Sequence, residues 1–260
     1  MTNFILETLP YVLLIFVRFT SFFLIAPIFS IKGVPNQFKI GLGVFIAFIA
    51  FTSISAEQPI SLDSFYIFLI IKELLVGIML GFTAALVLYT IQIAGAFIDF
   101  QMGFSIASVM DPQTGSQVPI IGHFKYMLAT LFLLTVNGHH LMLDGVMHSI
   151  QVFPVESLTF GVEIEGIAQF FTHLFVEIFL IALQIALPIV GALFLVDVAL
   201  GILAKTVPQL NIFAVGFPVK IIVGFILLLV SMPIFFYILQ SLFEKIITSM
   251  AQLISLLGGA

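Results

Sequence analysis

The stretch Phe100-Gln-Met-Gly-Phe-Ser-Ile-Ala-Ser-Val-Met-Asp-Pro-Gln-Thr-Gly-Ser-Gln-Val-Pro-Ile-Ile-Gly122 decides how the chain is read. It is built of small, polar and turn-forming residues with methionines and phenylalanines between them, and Asp111 is its one charge. The sequence on either side is apolar enough to live in lipid. Irregular backbone of this length, held between hydrophobic helices, persists only where protein buries it or water reaches it. Asp111-Pro112 favours turn initiation, Gly115 and Gly122 allow unusual backbone angles, and Pro119 stops helix propagation. Around the turn stand Met102, Gly103, Phe104, Val109 and Met110. Methionine is unbranched and suits the sealing of an irregular surface.

Outward from this loop, composition sets the class. The 260 residues are 62% hydrophobic and 8% charged, with a mean hydropathy of +1.29. A soluble domain carries about three times that share of charged residues. The chain reads as an all-α integral membrane protein, one membrane domain over residues 1–260. A net charge of -5 argues against a nucleic-acid partner. The lack of cysteine excludes a disulfide framework and thiolate chemistry. Glu7 stands where a signal peptide would be basic, and no small-residue cleavage site follows, so the first span is expected to be retained.

A helix needs about 20 apolar residues to cross the hydrocarbon core. Charge-poor windows give six spans, at residues 10–30, 40–56, 74–98, 126–143, 167–196 and 221–243. The fourth is interrupted by Asn137-Gly138-His139-His140, and the fifth is long enough to tilt or bend. Pro10, Pro27, Pro188 and Pro233 lie within or at the edges of apolar runs, where each favours a kink. Gly77 and Gly81, with Ala85 one turn later, have the small-xxx-small spacing of close helix packing. Lys32, Lys39, Lys125, Lys205 and Lys220 fall on alternate links, and the positive-inside rule then leaves both termini outside.

Charges within or beside spans are costly and usually face protein or water. Arg18, Lys72, Glu73 and Glu177 are of this kind. Internal ion pairing that fixes assembly geometry is the first reading of these buried charges, and direct solute or proton handling the second. At the C-terminus, about residues 239–258, Leu242, Phe243, Ile246, Ile247, Met250, Leu253, Ile254 and Leu257 fall at helical spacing. Ser241, Glu244, Lys245, Thr248, Ser249, Gln252 and Ser255 take the other face, which makes an amphipathic helix. Its single lysine is a weak signature for anionic lipid, so a protein partner is expected.

Catalytic readings are thin. Gly103-Phe-Ser105-Ile-Ala107 superficially resembles a nucleophile turn, but such motifs need a base and an orienting group in context. His139, His140, His148 and His173 lack tight metal-ligand spacing. No catalytic residue, cofactor or metal site is assigned, and no phosphate-binding glycine loop is present. A second segment, residues 203–218, is expected as a loop: Pro208, Gly216 and Pro218 punctuate it, and it bears Gln209, Asn211 and Phe213.

The residues also carry a family resemblance. Gln101-Met-Gly-Phe-Ser-Ile-Ala107, Met110-Asp-Pro112, Pro119, Asn137-Gly-His139 and Val207-Pro-Gln-Leu-Asn-Ile-Phe-Ala-Val-Gly-Phe-Pro218, in that order, resemble the FliR family of flagellar biosynthetic proteins over essentially the whole chain. The resemblance implies a non-enzymatic core subunit of the flagellar type III protein export gate, related to a subunit of injectisomes. It implies assembly with FliP-type and FliQ-type subunits into a conical helical complex, with an FlhB-type subunit as a further partner. It also implies bent helical hairpins, contact with membrane lipid, a place in the cell membrane at the flagellar basal body, and a pore-plugging loop on residues 102–122, about 100–123 at its widest. Exported flagellar proteins would pass in transit. The second segment would then serve subunit contact. A stand-alone small-solute transporter or channel, suggested by Arg18, Glu177 and the broken helices, or the homologous gate subunit of an injectisome, is the alternative; an intramembrane enzyme is the third class.

Overall fold

The computed structural model describes residues 2–30, 33–52, 60, 64–104, 119–157, 164–209 and 211–259. Its elements are helices α1 (Thr2–Ile25), α2 (Asn36–Thr52), α3 (Ser64–Met102), α4 (Ile120–Thr135), α5 (Gly138–Val152), α6 (Ile164–Thr206) and α7 (Ile212–Gly258). No strand occurs among the described residues. The all-helical membrane class expected from composition is what the chain adopts.

The count of six spans is adjusted. Helices α1, α3, α6 and α7 are long and apolar enough to cross a membrane, and α4 with α5 makes a fifth span if the bent pair is taken as one. The pair bends by 72° at Asn137, whose φ of 56° is left-handed, a conformation asparagine tolerates better than most residues. The polar interruption in the sequence is thus a corner. Helix α2 has 17 described residues, and the end of the expected span at 40–56 lies outside the described residues. By contrast α3, α6 and α7 have 39, 43 and 47 residues. At ~1.5 Å per residue each follows a path of roughly 60–70 Å, about twice the hydrocarbon core.

The basic residues used for orientation differ in burial. Lys39 is buried in α2 and Lys125 in α4, while Lys220 is half-buried in α7.

The chain divides into two compact units: residues 1–87, 133–173 and 243–260 form the first, and residues 88–132 and 174–242 the second. In the first unit, Tyr11, Leu14, Ile15, Phe19, Phe22 and Phe23 give α1 a buried face, and Arg18 lies on that same face, fully enclosed. Its guanidinium grips the Glu73 carboxylate with two N–H groups. It also donates to Ser149 Oγ at 3.0 Å and to the Phe153 carbonyl at 2.9 Å. Lys72 Nζ lies 2.6 Å from Glu73 Oε1 and donates to the carbonyls of Pro154, Val155 and Ser157 at 3.0, 3.0 and 2.9 Å. The Phe153 ring lies 4.6 Å from the same ammonium. One network therefore fastens α1, α3, α5 and the turn after α5.

The small residues of α3 serve the same junction. A Cβ on Gly77 would strike Ser21 and the Arg18 carbonyl, and one on Gly81 would lie 2.9 Å from the Phe22 carbonyl; Ala85 is buried one turn on. Glu177, grouped with the buried charges by its sequence position, is only half-buried in α6.

The amphipathic tail is the last part of α7, continuous with the preceding span. Phe243, Ile246, Met250, Leu253, Ile254 and Leu257 are buried. A Cβ on Gly145 would lie 3.1 Å from Met250, and one on Gly258 would run into Val152. The face expected to meet a partner protein is covered by the chain's own α5. Ser249, assigned to the polar face, is buried, and Ile247 is half-buried. The stripe is therefore rotated slightly from the one drawn on hydrophobicity alone.

Removing one member of a buried ion pair strands the other, at a cost of about 3–5 kcal/mol. Glu73→Ala is therefore expected to lower the thermal unfolding midpoint of the purified protein sharply. Glu244→Ala, at an exposed position of α7, should leave it within error. Equal midpoints for the two variants would show that the network does not hold the unit together.

Candidate functional site: the root of the 102–122 loop

The second unit fixes both ends of the loop. Val109, Met110, Asp111, Pro112 and Gly115 lie outside the described residues, as does Ser105; Met102, Gly103, Phe104, Pro119 and Gly122 are described. On the outgoing side α3 ends at Met102 and the chain turns at Gly103, whose φ is 90°. Side chains rarely adopt that angle, and a Cβ there would also lie 2.6 Å from the Phe217 ring. Met102 is buried against Gly224, where a Cβ would come 2.6 Å from the Met102 methyl. Phe104 meets Phe225 edge-on at 6.5 Å. Gln101 Nε2 donates to Asp197 Oδ2 at 2.8 Å. Lys220 Nζ holds the same carboxylate at 2.9 Å from Oδ1 and 3.0 Å from Oδ2. The end of α3 is thereby tied to α6 and α7 through apolar contacts and one polar bridge.

On the returning side the key residue is Asp99. Its carboxylate accepts the backbone N–H of Ile121 at 3.0 and 3.2 Å and that of Gly122 at 3.4 Å. These amides open α4 and have no partner within the helix, so an acid supplied from α3 meets both their hydrogen-bonding need and the positive end of the helix dipole. Pro119, just before α4, accepts the His123 N–H at 2.8 Å. Gly95 and Gly122 meet where α3 and α4 cross, and a Cβ on Gly122 would come 2.9 Å from the Gln92 carbonyl. The loop thus leaves α3 and returns to it within one turn of Asp99.

The second segment is mostly helix, which corrects the expected loop at residues 203–218. Helix α6 continues to Thr206 and α7 begins at Ile212, because Asn211 caps it: its Oδ1 accepts the N–H groups of Phe213 and Ala214 at 3.1 and 3.2 Å. Pro208 and Gln209 remain in the exposed connection, Phe213 is exposed, and Pro218 lies inside α7. Gly216 and Phe213, with Asp197, Gly201, Phe217 and Lys220, line a cavity of about 230 Å³ beside the bridge.

Asp99 and Asp197 were missed on sequence alone. Their signal was available: each is a lone acid embedded in an apolar run, where a charge needs a stated partner. The histidine pair sits elsewhere, the rings of His139 and His140 lying tilted by 38° with centroids 4.1 Å apart. Among the described residues, no three His, Asp or Glu side chains converge as a metal site requires. The geometry at the loop root is suited to holding backbone in place.

Comparison with known proteins gives a consistent assignment. The model of the family described as bacterial export proteins, family 1, matches residues 9–246. The flagellar biosynthetic protein FliR of Bacillus subtilis (strain 168) is 46% identical over 256 residues, covering 98% of this chain and 99% of its own length. FliR of Escherichia coli (strain K12) is 34% identical over 232 residues, 88% of this chain and 87% of that protein. The Yop proteins translocation protein T of Yersinia pestis is 31% identical over 219 residues, 82% of each. The chain belongs to the bacterial export proteins, family 1.

Proposed function

We propose that this protein is a core subunit of the flagellar type III protein export gate and that its 102–122 loop closes the channel. The observation that carries the closing role is the loop's root: the last residues of α3 and the first of α4 are pinned in one place, by Gly103 against Phe217 and by Asp99 on the α4 amides. A loop with fixed ends can block a passage with its middle and be displaced without loss of register. Flagellar use is favoured over injectisome use, because the flagellar relative matches at 46% over nearly the whole chain and the translocation relative at 31% over 82%.

In this reading the chain assembles with FliP-type and FliQ-type subunits, and an FlhB-type subunit, in the cell membrane at the flagellar basal body. Exported flagellar proteins pass through the gate, and the chain itself does no chemistry. The transporter reading loses part of its motivation, since Arg18 is committed to Glu73, Ser149 and the Phe153 carbonyl.

Deletion of the gene should abolish motility and flagellin export; a motile, exporting deletion strain would sink the assignment. Within the assembled complex, removing Asp111–Gly115 is expected to raise ion leakage, and intact assembly with unchanged leakage would count against a plug. Asp99→Ala removes the cap on α4, worth about 0.5–2 kcal/mol, and should also raise leakage. Asp111→Asn should be mild, because Asp111 serves as a turn-former. If Asp99→Ala leaks no more than Asp111→Asn, the root does not position the loop.

A further inference from the structure

Lys125 is the charged residue that the loop root does not use. It lies in the second turn of α4, 2% exposed, with its Nζ 4.8 Å from the centre of the Phe235 ring. Arg18 and Lys72 are surrounded by acceptors; Lys125 has no hydrogen-bond acceptor and no acid partner among the described residues. Attraction to an aromatic face offsets only part of the cost of removing an ammonium from water. The side chain lines a cavity of about 220 Å³ between α4, α6 and α7, shared with Gln184, Pro188, Val230, Ser231 and Ile234.

We propose that this cavity receives a side-chain carboxylate from an apolar helix of a second membrane protein. The donors present fit that group. The ammonium offers three N–H bonds, and the exposed Gln184 carboxamide can offer two more. The Ser231 hydroxyl is already committed to the Leu228 carbonyl at 2.9 Å. A single positive charge with a neutral amide beside it matches the single charge and two oxygens of a carboxylate. The surroundings match an apolar helix, since Val230, Ile234 and Leu187 are exposed.

Depth favours a protein helix over a lipid headgroup. Gln184 stands 20 residues from Ile164 and 22 from Thr206, and Ser231 stands 19 from Ile212 and 27 from Gly258. A position near the middle of a membrane-crossing helix lies ~15 Å from either edge of the hydrocarbon core, and the phosphates lie further out. A carboxylate carried on a crossing helix reaches that depth, and there it needs a partner of opposite charge. The inference rests on the multi-subunit reading above only in requiring a companion membrane protein.

The test is made on the assembly purified with its companions. Dicyclohexylcarbodiimide, an apolar reagent, joins a carboxylate to an amine in contact with it, and mass spectrometry locates the bond. The expected product links Lys125 to an Asp or Glu in an apolar helix of another chain. Lys125→Met keeps the stem over Phe235, so the fold should survive, as its unfolding midpoint will report. That variant should lose the link and retain companions on the order of tenfold less well, since a stranded charge remains in the partner. Equal retention by the Met variant would overturn the site, and so would a link from Lys125 within its own chain. A bound phospholipid mass that disappears in Lys125→Met, with no protein link in the unmodified chain, would overturn it in favour of a lipid phosphate. A chain that purifies without companions would overturn the multi-subunit reading, and this site with it.

Discussion

Three charges removed from water set the terms for the first compact unit. Arg18, Lys72 and Glu73 are nearly fully enclosed, and in such surroundings each must be matched by opposite charge or by hydrogen-bond acceptors. The match comes from residues far apart in sequence: Glu73 is 55 positions from Arg18, Ser149 is 131 and Phe153 is 135. Burial of an ion pair gives little net stability by itself. Its larger effect is selective: any packing that displaces α5 or the turn after it strips acceptors from both cations. Apolar packing alone is permissive about register, so this network is what distinguishes one helix arrangement from its neighbours. The glycines of α3 make the approach possible, since a side chain at Gly77 would displace the very turn of α1 that carries Arg18.

The loop root in the second unit obeys the same constraint with weaker interactions. Asp99 is buried and answers the free amides of a helix start, and Asp197 is held between an amide and an ammonium. In each case an acid on one helix fixes the end of a structure built by another. These contacts hold the end of α3 and the start of α4 on either side of the 102–122 loop.

The helical class, the corner at Asn137 and the amphipathic tail were legible in the sequence because they rest on local pattern: apolar composition, a polar interruption, a 3.6-residue stripe. Span boundaries were misread for one physical reason. The charge-poor windows stop at residue 98 before Asp99, at 196 before Asp197, start at 74 after Lys72 and Glu73, and start at 126 and 221 after Lys125 and Lys220. A window treats each charge as an exit from the membrane. In the structure Lys72 and Glu73, Asp99, Asp197 and Lys220 are neutralised or capped by groups from other helices, and the helices run on past them. Pairing between distant residues leaves no mark in a local window. The tail was likewise readable as amphipathic, while its docking onto α5 depends on a contact some hundred positions away.

The length of the helices has a further consequence. The apolar runs of α6 and α7 extend over 42 and 46 residues, about twice what a bilayer core covers. Exposed apolar residues run from Phe175 to Leu203 on α6 and from Phe213 to Tyr237 on α7, while the last part of α7 is buried against α5. Those exposed stretches are roughly 35–45 Å long at ~1.5 Å per residue, an excess over the hydrocarbon core that tilt accommodates in part. Surface of that kind in contact with water favours association with other apolar surface. Lipid or protein can cover these exposed faces of α6 and α7.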